Sequence, residues 1–458
     1  MAETLDGANQ DGPAVQAFEG DFSPRKLKVA LGILFGQSFG TSILPYSALM
    51  LMLMPLTHQF GWTAAQFSWA VTCLFVAGAV SLWPIGRLAD KVGVRPVLLA
   101  GTIMVGLITL GMSFQTASLW QFYFYYAVLG IFGSTGVTYT KVVAALFTQH
   151  RGKAMAILTA ETTLARAGIP LVVNWLLLNE GWRTMYVVFG IVILAMVPIL
   201  FFTIDEPGEF GTAGKISWRK KKATPEEAAP PPQKIDLPGM TIWEALKDPV
   251  FWLNTLAAFI GLFIFNGMFP HIIPALVGKG FSQTTVVELQ SIATVIAFAG
   301  ALIGGWAVDR FQTAMVAAPV SVIAALGAIL TMLVSPTFGG VPLLAAILIF
   351  GALSFNALFP MGTYFATRFF GLGSLAEIVA VQFAITNVFA GLSAPLFGWI
   401  FDTTHSYDSV FMITTVLNLL VALIWLIMPK YRYAANIGQM PAEEPPIAAE
   451  HELGALPS

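Results

Sequence analysis

The sequence predicts an all-α integral membrane protein with twelve transmembrane helices, arranged as two six-helix pseudo-repeats. Three observations carry that expectation. Of 458 residues, 57% are hydrophobic and only 10% are charged, and the mean hydropathy is +0.76; soluble chains run at about 25% charged. Twelve apolar runs each reach the roughly 20 residues that a helix needs to cross hydrocarbon. Features of the first half recur in the second at one fixed spacing.

Residues 1–28 form a polar tail, expected on the cytoplasmic side. Its acidic start is unlike the basic opening and apolar centre of a cleavable signal. Spans 1 to 6 fall near 29–57, 65–88, 96–115, 119–147, 153–178 and 184–204, and make an N-terminal bundle, 29–204. A linker follows at 205–249. Its "WRKKK" and "EEAAPPPQ" read as a polar connection with extended Pro-rich stretches. Spans 7 to 12 fall near 250–277, 284–307, 313–334, 341–367, 375–400 and 409–429, and make a C-terminal bundle, 250–429. The tail at 430–458 is rich in Pro, Glu and Ala, a composition that resists ordering.

Lys and Arg orient the spans. With both termini cytoplasmic, nineteen of the twenty-three basic residues fall on that side. Arg183 and Lys279 alone fall outside, and Lys141 and Arg166 lie within spans. The expected home is the inner (plasma) membrane, crossed many times.

The repeat is visible in "PLTHQFGW" (55–62) against "PALVGKGF" (274–281), and in "GRLADK" (86–91) against "GWAVDR" (305–310). Pro55 and Pro274, Gly61 and Gly280, Gly86 and Gly305, Asp90 and Asp309, and Lys91 and Arg310 all stand 219 residues apart. Parallel halves of this kind hold a solute between them near the bilayer midplane and rock about it.

"GRLADKVGVRP" (86–96) resembles the loop 2–3 signature of the major facilitator superfamily: Gly86, then Asp90 and Lys91, then Gly93 and Arg95. The resemblance implies a gating role for Gly86, Asp90, Lys91 and Arg95, with Asp309 and Arg310 as the degenerate second copy. Gly86 would let helices approach closely, and Asp90 would latch a neighbouring helix end. A narrower resemblance, through "LTHQFGWTAAQFSW" and "TAETTLARAGIP…NEGWRTMY", is to bacterial monocarboxylate porters related to the oxalate/formate exchangers. That group moves small organic acids, often with a proton. Two departures stand out. Tyr46 follows Pro45 where many animal members have lysine, and residues 284–307 hold no arginine or lysine.

The odd residues of "TAETTLARAGIP" (159–170) then carry the site. A charge at the centre of a span costs about 2.5–3.5 kcal/mol and persists where it is paired, wet or useful. On a helix, Thr159, Thr163 and Arg166 share one stripe; Glu161, Ala165 and Gly168 share another, about 140° away. Arg166 is the expected carboxylate-binding residue, because a guanidinium grips a carboxylate with two hydrogen bonds. An interhelical structural pair is the rival reading. Glu161 and His271 are the candidate proton carriers, with helix packing and a bonded vestibule histidine as their bland alternatives. Lys141 either snorkels to the interface or adds a second positive charge. Tyr46, Asn266, Asn356, Tyr364, Tyr139 and Gln37 are expected to line the cavity and orient the substrate, since spans 1, 4, 7 and 10 line it in the resembled superfamily. Each could instead stabilise a kink.

The chain has no P-loop, no Cys/His cluster and no nucleophile–base set. No enzyme activity, cofactor or metal is expected. The single Cys73 excludes an internal disulfide, and a net charge of -2 points to no nucleic acid. The expected function is secondary active transport of small organic monocarboxylate anions, proton-coupled uptake by alternating access, with the protein acting as a monomer. An exchanger or exporter of organic anions, aromatic acids included, is the first alternative. A transporter-like sensor is the second.

Overall fold

The computed structural model describes residues 24–136, 138, 139, 142, 151–204 and 239–433. Lys141 and the linker at 205–238 lie outside the described residues, as do both outer tails. Helices fill most of the rest, and beyond two isolated bridges the described residues form no strand. Ten stretches are long and apolar enough to cross a membrane. The helices Leu119–Gly133 and Arg151–Asn179 stand in the places of spans 4 and 5.

Three expected rods are broken. Span 1 is two helices, Pro24–Phe39 and Ile43–Phe60. At the break the Thr41 hydroxyl donates back to the Gln37 carbonyl at 2.8 Å, a local bond that competes with helix continuation. Span 7 divides into Pro249–Met268 and Ile272–Gly278. Pro270 sits in this break and Pro274 just beyond it, and neither can donate a backbone hydrogen bond. Span 11 divides into Leu375–Ala390 and Ser393–Thr404, around Gly391 and Leu392. The other spans are Ala64–Val92, Val94–Met112, Gly181–Thr203, Gln283–Phe311, Ala317–Leu333, Gly340–Phe370 and Asp408–Ile427.

Spans 2 and 8 repeat residue for residue. Each is 29 residues long, and both ends are offset by 219. Thr63 and Ser282 cap them in the same way, each hydroxyl accepting from the third helical amide, Gln66 or Thr285; such a cap contributes about 1 kcal/mol. Gly61 (φ 70°) and Gly280 (φ 96°) precede the two caps. The loops that follow turn through Gly93 (φ 99°) and Gln312 (φ 47°). The N-terminal copy has the residue that left-handed backbone favours; the second copy does without it.

Small residues bring helices together within each half. A methyl group on Gly130 would lie 2.2 Å from the Leu74 carbonyl oxygen, and one on Gly300 2.4 Å from that of Leu353. Spans 2 and 4, and spans 8 and 10, therefore meet backbone to backbone. Gly86 makes no such close approach in this conformation. A methyl group there would find nothing within 4 Å, because the two halves meet at the opposite end of the molecule.

That end carries the short loops near 61–63 and 279–282 and is termed the loop side; the end near residues 24, 204, 239 and 433 is the terminal side. Across the interface the Asp402 carboxylate accepts from the amides of Ala64 and Ala65, both at 2.9 Å, at the first turn of span 2. One turn further along, the Ser68 hydroxyl meets His271 Nε2 at 3.1 Å. Another turn on, the Thr72 hydroxyl donates to the Gly391 carbonyl at 2.6 Å. Spans 5 and 8 add a second seam: Gln283 Nε2 donates to Asn174 at 2.8 Å, and Asn174 Nδ2 to Thr284 at 3.3 Å. All described hydrogen bonds between the halves belong to these two seams.

Candidate functional site

A cavity of about 430 Å³ lies between the halves and runs into the C-terminal one. Span 7 supplies its longest wall. Asn254, Ala258, Gly261 and Phe265 recur at three- and four-residue spacing, so one stripe of the helix Pro249–Met268 faces the space over about 17 Å, and Phe269 and Ile272 continue the wall through the break. Span 1 contributes Tyr46, Ser47 and Met50, and span 5 contributes Arg166 and Pro170. Spans 8 and 10 add Gln290, Ser291, Asn356 and Phe355.

Arg166 is the one charged side chain among the described lining residues. Its side chain is exposed, and no described carboxylate pairs with it. Exposure to a wet cavity removes most of the cost that hydrocarbon would impose. It shares the cavity lining with Tyr46. The Tyr46 hydroxyl is buried without a hydrogen-bond partner, as are Asn254 Oδ1 and Ser291 Oγ on the same cavity wall. Buried groups of this kind ordinarily find partners; here they are placed where a solute could supply them.

Four rings form a continuous aromatic wall. Phe355 stacks on Phe265 with centroids 4.2 Å apart and planes 12° from parallel. Phe265 lies 6.2 Å from Phe269, and Phe269 stacks on Tyr46 at 4.4 Å and 4°. The wall crosses from span 10 through span 7 to span 1.

Of the other expected lining residues, Asn356 reaches the cavity, its Nδ2 donating to the Ala352 carbonyl at 3.0 Å. Asn266, Tyr364, Tyr139 and Gln37 do not. Asn266 and Tyr364 each follow a wall residue, Phe265 or Thr363, and one step round a helix turns a side chain by about 100°. Asn266 is buried with Nδ2 unpartnered; the Tyr364 hydroxyl accepts from Arg368 Nε at 2.9 Å. Tyr139 is buried in the N-terminal half, where a methyl group on Gly36 would come within 2.5 Å of its hydroxyl. Gln37 sits one turn before the break in span 1.

His271 also lies off the cavity wall. It is fully buried in the loop-side seam, with Nδ1 3.1 Å from the Tyr407 hydroxyl and Nε2 3.1 Å from both Ser68 and the Ala394 carbonyl. Glu161 belongs to the helix Arg151–Asn179, but its side chain lies outside the described residues. In the 86–96 segment, Asp90 and Lys91 are exposed, as are Asp309 and Arg310 in the second copy. Arg95 stacks over the Phe201 ring at 4.4 Å and donates to the Phe201 carbonyl, tying span 3 to span 6.

Sequence reasoning missed Asp402, the aromatic wall, Asn254 and Ser291. The stripe through Asn254, Gly261 and Phe265 could have marked one face of span 7. No spacing marks Asp402, since its partners lie in the other half.

Comparisons with known proteins agree with this architecture. Residues 31–381 match the Major Facilitator Superfamily. The uncharacterized MFS-type transporter YcxA of Bacillus subtilis is 23% identical, over 82% of this chain and 88% of its own. Mouse monocarboxylate transporter 11 is 23% identical, over 84% and 83%, and the niacin transporter NiaP of Acinetobacter baylyi is 22% identical, over 62% and 66%. The crystal structure of the nucleoside transporter NupG superposes with a TM-score of 0.68 at 17% identity, over 87% of this chain and 99% of that one. The chain belongs to the major facilitator superfamily.

Proposed function

We propose that the protein takes up small organic carboxylates, together with protons, by alternating access. The observation that carries this reading is an exposed cation, Arg166, the one charged side chain among the described lining residues of a cavity between two halves. A guanidinium offers a carboxylate two parallel hydrogen bonds. Tyr46, Asn356 and Ser291 stand where they can orient the remainder of the solute. The monocarboxylate and niacin transporters among the relatives support the substrate class.

The same reading gives the conformation a direction. Most basic residues cluster on the terminal side, which makes that side cytoplasmic. With the loop side held by Asp402, His271 and Asn174, the cavity would open inward. Proton coupling falls to His271, whose four-way contact joins spans 2, 7 and 11 to the loop before span 12, or to Glu161 on span 5. Gly86 and Asp90 would act in the opposite state, when spans 2 and 11 close on the terminal side. The protein would work as a monomer in the plasma membrane.

One observation favours an exchanger instead: the described cavity wall includes no carboxylate and no histidine. Exchange of one anion for another needs no proton carrier. Proteoliposomes separate the two. Symport predicts accumulation of a labelled carboxylate driven by an imposed proton gradient and abolished by an uncoupler. Exchange predicts counterflow that survives the uncoupler, with no accumulation. If Arg166→Ala leaves both activities intact, the carboxylate reading fails.

A further inference from the structure

The geometry points to a flat aromatic carboxylate as the solute this cavity selects, an inference that rests on the proposed anion-binding role of Arg166. Four rings, Phe355, Phe265, Phe269 and Tyr46, follow one another in contact along the wall, and the last of them, Tyr46, shares the cavity lining with Arg166. A two- or three-carbon acid could meet Arg166 and would leave the wall uncovered. A planar acid could lay its ring along the wall while its carboxylate reaches the guanidinium. The cavity, at about 430 Å³, falls within the range of pockets that enclose small molecules of that kind.

The way the wall is built argues against mere filler. Phenylalanines that face lipid need no mutual order. Here three of the rings belong to the C-terminal half and the fourth to the N-terminal half, and the two stacked pairs lie within 12° of parallel. Each stacked ring spends one face on its partner and keeps its outer face and edge, on which a further π-system can dock by offset stacking or an edge-on approach. Neutral polar groups of the same lining, Ser291 Oγ among them, lack a hydrogen-bond partner; a hydroxyl or ring nitrogen on the solute could supply one. An aliphatic ring of equal size gains burial from such a wall and lacks the stacking.

The test uses the purified full-length protein and three acids matched in charge: benzoate, cyclohexanecarboxylate and acetate. Binding is read by isothermal titration and checked by competition for uptake in proteoliposomes. Benzoate is expected to bind about fivefold or more tighter than cyclohexanecarboxylate, with acetate weakest. Phe265→Leu and Phe355→Leu should each erase most of the preference for benzoate while leaving cyclohexanecarboxylate binding within about twofold. Equal affinity for the two six-membered rings, or a preference for acetate, overturns the aromatic assignment while the anion site stands. Arg166→Ala, run with benzoate and with uncharged benzyl alcohol, separates the two layers. If benzoate binding survives that change, the anion reading itself falls. If benzoate binding is lost while benzyl alcohol binding is unchanged, the anion reading holds and the ring comparison decides the class.

Discussion

The two halves share one fold and give the cavity different things. Spans 1 and 5 bring the charge and the phenol, Arg166 and Tyr46, while spans 7, 8 and 10 bring three phenylalanines and neutral polar groups such as Ser291 and Asn356. Spans 2 and 8, by contrast, match at both ends and in their N-caps. The scaffold has kept its symmetry and the cavity lining has lost it. Scaffold positions answer to packing constraints that both halves share. Lining positions, on the proposed reading, would answer to a solute that has two unlike ends.

The largest expected effect comes from removing the N-terminal half's contribution. Arg166→Ala should lower carboxylate uptake by about a hundredfold, the usual scale for truncating one partner of a desolvated ionic contact. Arg166→Lys keeps the charge and loses the planar fork, so it should recover only part of the activity. Initial rates of labelled uptake decide both. If lysine restores full activity, the site reads charge and not carboxylate geometry.

The shared scaffold breaks next. Gly130→Ala and Gly300→Ala each force a methyl group into a carbonyl oxygen of the facing helix and should destabilise the protein by about 2 kcal/mol apiece, read as lowered melting temperatures in detergent. Gly86→Ala meets open space and should leave the melting temperature unchanged. It should still slow transport if, as proposed, the opposite conformation packs that surface. A fall in melting temperature for Gly86→Ala would mean that the terminal side is already closed.

A smaller effect tests how the halves are held. Asp402 spans the interface by capping helix 64–92 with both carboxylate oxygens, where the helix N-terminus favours a negative charge. Asp402→Asn keeps the size and removes the charge. At the cost of a lost cap, the loop-side-open population should rise about tenfold. The measurement is the labelling rate of a cysteine placed at Met50, with Cys73 replaced by alanine, using an impermeant maleimide. An unchanged rate would assign the seal to His271 and Asn174 instead.

How much of this was legible in the sequence follows from the same contrast. Span number and the 219-residue repeat could be read, because hydropathy is dictated by the bilayer itself. Arg166 stood out since a guanidinium in an apolar run needs a reason. Phe265 and Phe355 did not, because phenylalanine is ordinary in a membrane helix whether it faces lipid or solute. Asn266 and Tyr364 were misassigned for a related reason. Polarity suggested the cavity, yet each lies a single residue from the stripe that faces it, and a reading of spans without their rotation cannot tell neighbours apart. Asp402 was invisible because its partners, Ala64 and Ala65, contribute only backbone amides from 338 and 337 residues away.

The smallest effect asks whether the C-terminal half reads anything beyond shape. Ser291 is buried at the cavity wall with its hydroxyl unpartnered. An unmade hydrogen bond there costs free energy until something supplies it. Ser291→Ala should therefore leave the melting temperature unchanged or slightly raised. It should weaken a hydroxylated aryl acid by about threefold relative to its unsubstituted parent. Equal losses for both acids would trace the effect to altered packing of span 8, and the C-terminal half would then shape the cavity without reading the solute's polar end.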